Sequence, residues 1–170
     1  MKTWWGWLAG VLVTVTLLGC GTVYSWRPAV PADRRTVVVP TFRNSSKLPA
    51  FGSMMARQLA REFQREGTFS IESADDAALE VQGEVISVGG SSVAFDRHGS
   101  RKSSFEITAL VQVTVVDRRS QKLLLDNRKY DVSVTYTSGG DSLNAKRDAS
   151  GRLADELSRR IVDDILNLKW

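Results

Sequence analysis

Cys20, in the stretch TLLGCG from Thr16 to Gly21, is the only cysteine in 170 residues, and it follows an apolar run. A single thiol leaves no internal disulfide, no thiol pair and no zinc cluster. A single histidine, His98, removes most metal and general-base chemistry with it. Asp75-Asp76 and Asp163-Asp164 are adjacent carboxylates, and neighbours in sequence point to different sides of a strand or helix, so they read as solvated. His98 stands near Asp96, but no nucleophile elbow or serine motif completes a catalytic set. Gly89-Gly90 and Gly139-Gly140 lack the lysine of a phosphate loop and read as turns. Neither an enzyme, a metal nor a cofactor is expected. The chemistry left to Cys20 is attachment.

The segment before it has the form of a targeting peptide: Lys2 is the thin positive region, Trp7 to Leu18 the apolar stretch, and small residues flank Cys20. Leu17-Leu18-Gly19-Cys20 resembles the bacterial lipoprotein box. That resemblance implies a diacylglycerol thioether on Cys20, cleavage before it, and a further acyl chain such as palmitate on the new amino end. Several chains together give effectively permanent anchoring. Gly21, in place of an aspartate, resembles lipoproteins passed on to the outer membrane. The competing reading is an uncleaved anchor, because Thr3 to Trp26 carries no charge and is long enough for a spanning helix of roughly 20 residues. Trp4, Trp5 and Trp7 at one end and Tyr24 and Trp26 at the other would then form interfacial belts. Gly19, Cys20 and Gly21 interrupt that run. Both readings place the rest of the chain outside the cytoplasm. The expected division is signal peptide 1–19, lipidated N-terminus and tether 20–35, and one domain 36–170.

Composition fits one modest core: 42% of residues are hydrophobic and 25% charged. The net charge of +4 arises from 23 basic and 19 acidic residues that are interspersed, so it selects no partner, and export argues against nucleic acid. The order of elements is readable. TVVVPTF from Thr36 is an edge strand, because Pro40 lacks a donor. Phe51, Met55, Leu59 and Phe63 form one stripe of a helix that Gly67 stops. TFSIES is a short strand. LEVQGEVISVGG follows, with Leu79, Val81 and Val85 on one face and Gly89-Gly90 at its end. Ser91 to Ser104 reads as a long polar loop. FEITALVQVTVVD then alternates Phe105, Ile107, Ala109, Val111, Val113 and Val115 with Glu106, Thr108, Gln112 and Thr114, the mark of a half-buried sheet. RRSQK turns the chain into LLLDNRKYDVSVTY, with Tyr130, Val132, Val134 and Tyr136 on one face. Ser142 can cap a last helix striped with Leu153, Leu157, Ile161, Ile165 and Leu168. The fold expected is α+β, a two-layer sandwich with two amphipathic helices on one face of a mostly antiparallel sheet of four to five strands.

Lipobox, tether, RRTVVVPTFRNSS, MMARQLAREFQREGTFSI, AALEVQGEVISV, VQVTVVDRRSQKLLLDNRKY and ADELSRRIVDDIL, in that order, resemble the LptE family of lipopolysaccharide-assembly lipoproteins over about residues 20 to 168. The resemblance implies a non-enzymatic outer-membrane lipoprotein on the periplasmic side. It would act as plug and assembly partner of an LptD-type β-barrel that transports and inserts lipopolysaccharide. The alternative class is an envelope lipoprotein whose α+β module serves another assembly.

An anionic lipid calls for cationic side chains held on loops of a rigid scaffold. Two clusters qualify. Arg97, Arg101 and Lys102 lie in the long loop, and Arg118, Arg119 and Lys122 lie at the hairpin turn, expected near Arg43 and Lys47. Arginines at a turn also blunt sheet edges and keep them soluble. The outward row Glu106, Thr108, Gln112 and Thr114 would suit the polar inner wall of a barrel, and equally a sheet facing water.

Overall fold

The computed structural model describes residues 30–94, 103–138 and 142–170. Cys20 with its flanking segment, His98 with Asp96, the Gly139-Gly140 pair, and Arg97, Arg101 and Lys102 lie outside the described residues.

Three long strands form the frame: β4 (Leu79–Ala94), β5 (Ser103–Asp117) and β6 (Lys122–Ser138), paired antiparallel in that order. The alternation in β5 sets the register. Ile107, Ala109, Val111, Val113 and Val115 are all buried, while Thr108 is exposed. A slip of one residue would turn that whole row to water. Gly89 and Gly90 do not end β4; they pair with Thr108 and Ile107 inside it, and the strand runs on to Ala94. Pairing along a strongly β-forming neighbour overrides the weak intrinsic preference of glycine. The polar loop is correspondingly shorter than expected, because Ser91–Ala94 and Ser103-Ser104 belong to strands.

Pro40 splits the first strand in two, and the first piece, paired on both sides, is not the edge strand expected. β1 (Thr36–Val38) and β2 (Arg43–Asn44) result, both parallel to β4, with β3 (Ser70–Ile71) parallel to β1. The sheet is mixed and six-stranded, in the order β3-β1-β4-β5-β6 with β2 on β4. Parallel neighbours need a crossover, and α1 (Phe51–Glu66) supplies it between β2 and β3.

Both helices, α1 and α2 (Ser142–Leu166), lie on one face, as the stripes predict: α2 packs over β5 and β6 and against α1. Phe51, Met55, Leu59 and Phe63 of α1 and Leu153, Leu157, Ile161 and Ile165 of α2 are fully buried with Val81, Val85, Val111 and Val113. Each such side chain stabilises the fold by about 1.5–3 kcal/mol. Gly67, at φ 84°, closes α1 by donating its N–H to the Phe63 carbonyl at 3.1 Å. Ser142 is the first residue of α2. Packing begins upstream of Thr36: Val30, in the segment read as tether, is 4% exposed, and its carbonyl accepts a hydrogen bond from Arg35 Nε at 3.1 Å.

The stretch PTFRNSS has a local physical cause. Asn44 Nδ2 donates to the carbonyls of Leu48 (2.8 Å) and Pro49 (3.0 Å), and its Oδ1 accepts from the Ser46 N–H (3.0 Å) and hydroxyl (2.7 Å). One side chain thus ties β2 to the start of α1. The Phe42 ring fills the space over Gly83, where a Cβ would stand 2.1 Å from it, and a Cβ on Gly52 would stand 2.5 Å from the Phe42 carbonyl oxygen.

Candidate functional site

The turn between β5 and β6 is built on Asp117, which is 2% exposed. Its Oδ1 accepts the N–H groups of Arg119 (3.0 Å) and Ser120 (3.2 Å), and Arg34 lies 3.2 Å from Oδ2. Burial pushes this carboxyl up. The hydrogen bonds from Ser120 and Arg119 and the Arg34 guanidinium outweigh it and hold Asp117 below the usual carboxylate range. Gln121, at φ 56°, supplies the left-handed residue that closes the loop, and its side chain donates to the Arg118 carbonyl at 2.7 Å.

This turn displays Arg119 and Lys122 to solvent, whereas Arg118 is partly engaged, 3.6 Å from Glu80. Beside it is a hollow of about 440 Å³ lined by Asp75, Asp76, Ala77, Arg118, Arg119 and Gln121. The hollow therefore holds both arginines and two exposed carboxylates, which oppose a phosphate at close range. Arg43 is not near this turn. It pairs with Glu84, level with Gln112, while the turn begins beyond Leu79 and Asp117. It stands 3.9 Å from Glu84, whose other oxygen accepts the Ser45 hydroxyl at 2.8 Å. At the opposite end of the sheet Ser103 pairs with Ser138.

The helix-free face is hydrophilic. Thr108 and Ser133 hydroxyls lie 2.7 Å apart, and Gln112 donates to Asn127 Oδ1 at 2.6 Å. Asn127 has φ 46° at a bulge where Val113 pairs with Arg128 but Val115 with Leu125. A hollow of about 480 Å³ on this face is lined chiefly by Arg43, Glu80, Gln82, Glu84, Gln112 and Asn127. Its carboxylates and amides suit neutral polar groups better than phosphates.

Of the paired carboxylates, Asp164 is not merely solvated. It accepts the Tyr130 hydroxyl at 2.9 Å and pairs with Arg128 at 2.9 Å, binding α2 to β6. Burial and that carboxylate push the Tyr130 phenol above its ordinary range. The reading of loops also passed over a row of arginines on α1, at Arg57, Arg61 and Arg65; their four-residue spacing in ARQLAREFQRE was the available signal. Among the described residues no group of His, Cys, Asp or Glu is arranged to hold a metal ion, and no helix is long and apolar enough to cross a membrane.

Helices on one face and a polar, open sheet on the other define an α+β two-layer domain that leaves its sheet free. The same fold occurs in protein XCC0632 from Xanthomonas campestris (TM-score 0.52, 12% identity, 83% of this chain and 87% of that one). It occurs also in the hypothetical protein CT253 from Chlamydia trachomatis (0.51, 12%, 78% and 96%). A third example is a neuraminyllactose-binding hemagglutinin homologue from Helicobacter pylori (0.51, 12%, 80% and 88%). No curated protein matches the chain. Residues 34–168 match the model of the LptE lipopolysaccharide-assembly family, and the chain belongs to that family.

Proposed function

We propose that the protein is an outer-membrane lipoprotein, anchored on the periplasmic side through acylated Cys20. In this role it acts as plug and assembly partner of an LptD-type barrel in the transport and insertion of lipopolysaccharide. The observation that carries this is the family match over residues 34–168, nearly the whole packed domain. The fold supports the same reading. A rigid two-layer scaffold with a polar sheet face suits the polar wall of a barrel interior, and its role needs no catalytic group or cofactor beyond the covalent lipid.

Within this reading Arg97, Arg101 and Lys102 are the first choice for lipopolysaccharide phosphates. The carboxylates that share the hollow with Arg118 and Arg119 weaken the second cluster, Arg118, Arg119 and Lys122, for that task. Two experiments test the proposal. Inhibition of signal peptidase II should leave an uncleaved precursor, and an unchanged mass would remove the anchor. The full-length triple variant Arg97→Gln/Arg101→Gln/Lys102→Gln should bind lipopolysaccharide at least ten-fold more weakly at an unchanged melting temperature, since each charge-assisted contact is worth about 1.5–3 kcal/mol. Unchanged binding dismisses that loop.

A further inference from the structure

The edges of the sheet are finished in different ways. β2 and β3 are two residues long each, too short to template a further strand. β6 is long, but its outward-facing stretch carries Lys129 and Asp131, and arginines of α2 cover its carbonyls. Arg160 Nη1 donates to the Asp131 carbonyl at 3.4 Å and Arg152 Nη2 to that of Thr135 at 3.5 Å. Short strands, charges and covered backbone groups all blunt an edge. The part of β4 beyond Val85 has none of them.

β1 and β2 flank β4 only as far as Val85, whose carbonyl accepts the Ser45 N–H at 2.9 Å. Beyond that point, among the described residues, β4 is paired on the β5 side alone. The direction of its backbone groups follows from β6. Asp131 and Thr135 turn their carbonyls outward, so Val134 turns its own groups toward Ile107 of β5. Gly90, on the other side of Ile107, then turns its groups away from β5. The N–H and C=O groups of Val88, Gly90 and Ser92 thus line a free edge about 20 Å long over residues 87–92. No charged residue occurs between Glu84 and Asp96. Ser87, Gly89, Gly90, Ser91 and Ser92 are exposed, and a Cβ on Gly89 would meet nothing within 4 Å. A glycine pair weakens a strand, and what it leaves here is room for another backbone to come close.

We propose that residues 87–92 of β4 take up an extended, uncharged segment of a partner protein as an added strand of the sheet. In the reading above, on which the identity of the partner rests, that segment belongs to the barrel. The outward N–H and C=O groups supply main-chain hydrogen bonds, and alternate side chains of the incoming strand supply selectivity. A charge brought to this edge would lose water and find no counter-charge, so the occupant is neutral. On the helix side it meets the half-buried Val88, and on the other side it extends a hydrophilic face. A segment of about six residues that alternates apolar and neutral polar side chains fits both. A plug enclosed by a barrel offers its edges to the partner's own chain, so the docking agrees with that placement.

Hydrogen exchange read by mass spectrometry tests the docking on the full-length lipoprotein, purified from envelopes in mild detergent with whatever it holds, and overproduced by itself. The amides of Val88, Gly90 and Ser92 should exchange about ten-fold or more slowly in the assembly than in the lone chain. Two variants probe the same edge. Ser92→Pro removes an outward N–H and no bond to β5, whereas Ser92→Lys keeps the N–H and adds a charge. In competition with the wild-type chain, each should be taken up by the partner about five-fold less, at an unchanged melting temperature. Ser133→Pro, which removes an outward N–H from the covered edge of β6, should compete as well as the wild type. Slow exchange with a different assembly bound removes the barrel reading and keeps the docking. A barrel in equal amount, with the edge exchanging as in the lone chain, keeps that reading and overturns the docking. No partner and fast exchange overturns both. Slow exchange already in the lone chain would mean that its own residues or a second copy cover the edge, and it too overturns the docking, as does equal weakening by Ser133→Pro.

Discussion

Asp117 shows how one residue gains a role that its neighbours in sequence do not reveal. It closes FEITALVQVTVVD and looks like the first residue of a turn, yet it is nearly inaccessible and gathers two N–H groups and the Arg34 guanidinium. Arg34 lies far upstream, so no local pattern announces the pair. Asp117→Asn should lower unfolding stability by about 2 kcal/mol, read from urea midpoints, because it removes charge-assisted bonds from a buried site. The pH dependence has a defined sign. A lowered folded pKa contributes stability that is present above the unfolded value of 3.8 and is lost as the pH falls through the lower folded value. The wild-type protein should therefore lose stability on acidification below about pH 4, more steeply than Asp117→Asn. Equal slopes would show that the carboxylate is not held ionised by the fold. Asp164 teaches the same lesson, because its partner Tyr130 is 34 positions away.

At the scale of elements, what could be read was periodicity. The stripe of α1, the strict alternation of β5 and the row Tyr130, Val132, Val134 and Tyr136 all appear in the fold, because burial on one face imposes 3.6 or 2.0 residue spacing directly on the sequence. What escaped reading depends on neighbours. Pro40 cuts one strand into β1 and β2, Gly89 and Gly90 are held in β4 by β5, and Asn127 bulges β6. Two substitutions probe these contacts. Gly83→Ala should destabilise by about 1–3 kcal/mol, because the added methyl meets the Phe42 ring at 2.1 Å. Trimming that ring with Phe42→Leu in the same chain should recover part of the loss, and simple additivity of the two changes would contradict the contact. Tyr130→Phe deletes the hydroxyl that binds β6 to α2 and should cost about 1 kcal/mol by thermal or urea unfolding. An unchanged midpoint would mean that the bond to Asp164 contributes nothing net.

For the whole molecule, the two-layer architecture followed from amphipathic faces that had to cover one another. The family resemblance, seen in the order of its segments, is upheld by the match over residues 34–168. The candidate site was less readable. Basic loops are visible in any sequence, but whether they face acids is a three-dimensional fact. The hollow at Arg118 and Arg119 includes Asp75 and Asp76 from a turn more than forty residues earlier. The arginine row on α1 was visible as spacing. The central claim concerns company rather than chemistry. Purification of the full-length lipoprotein from envelopes in mild detergent should bring down a large outer-membrane β-barrel in equal amount. Repeated recovery of the acylated chain alone, or with a different assembly in stoichiometric amount, would contradict it.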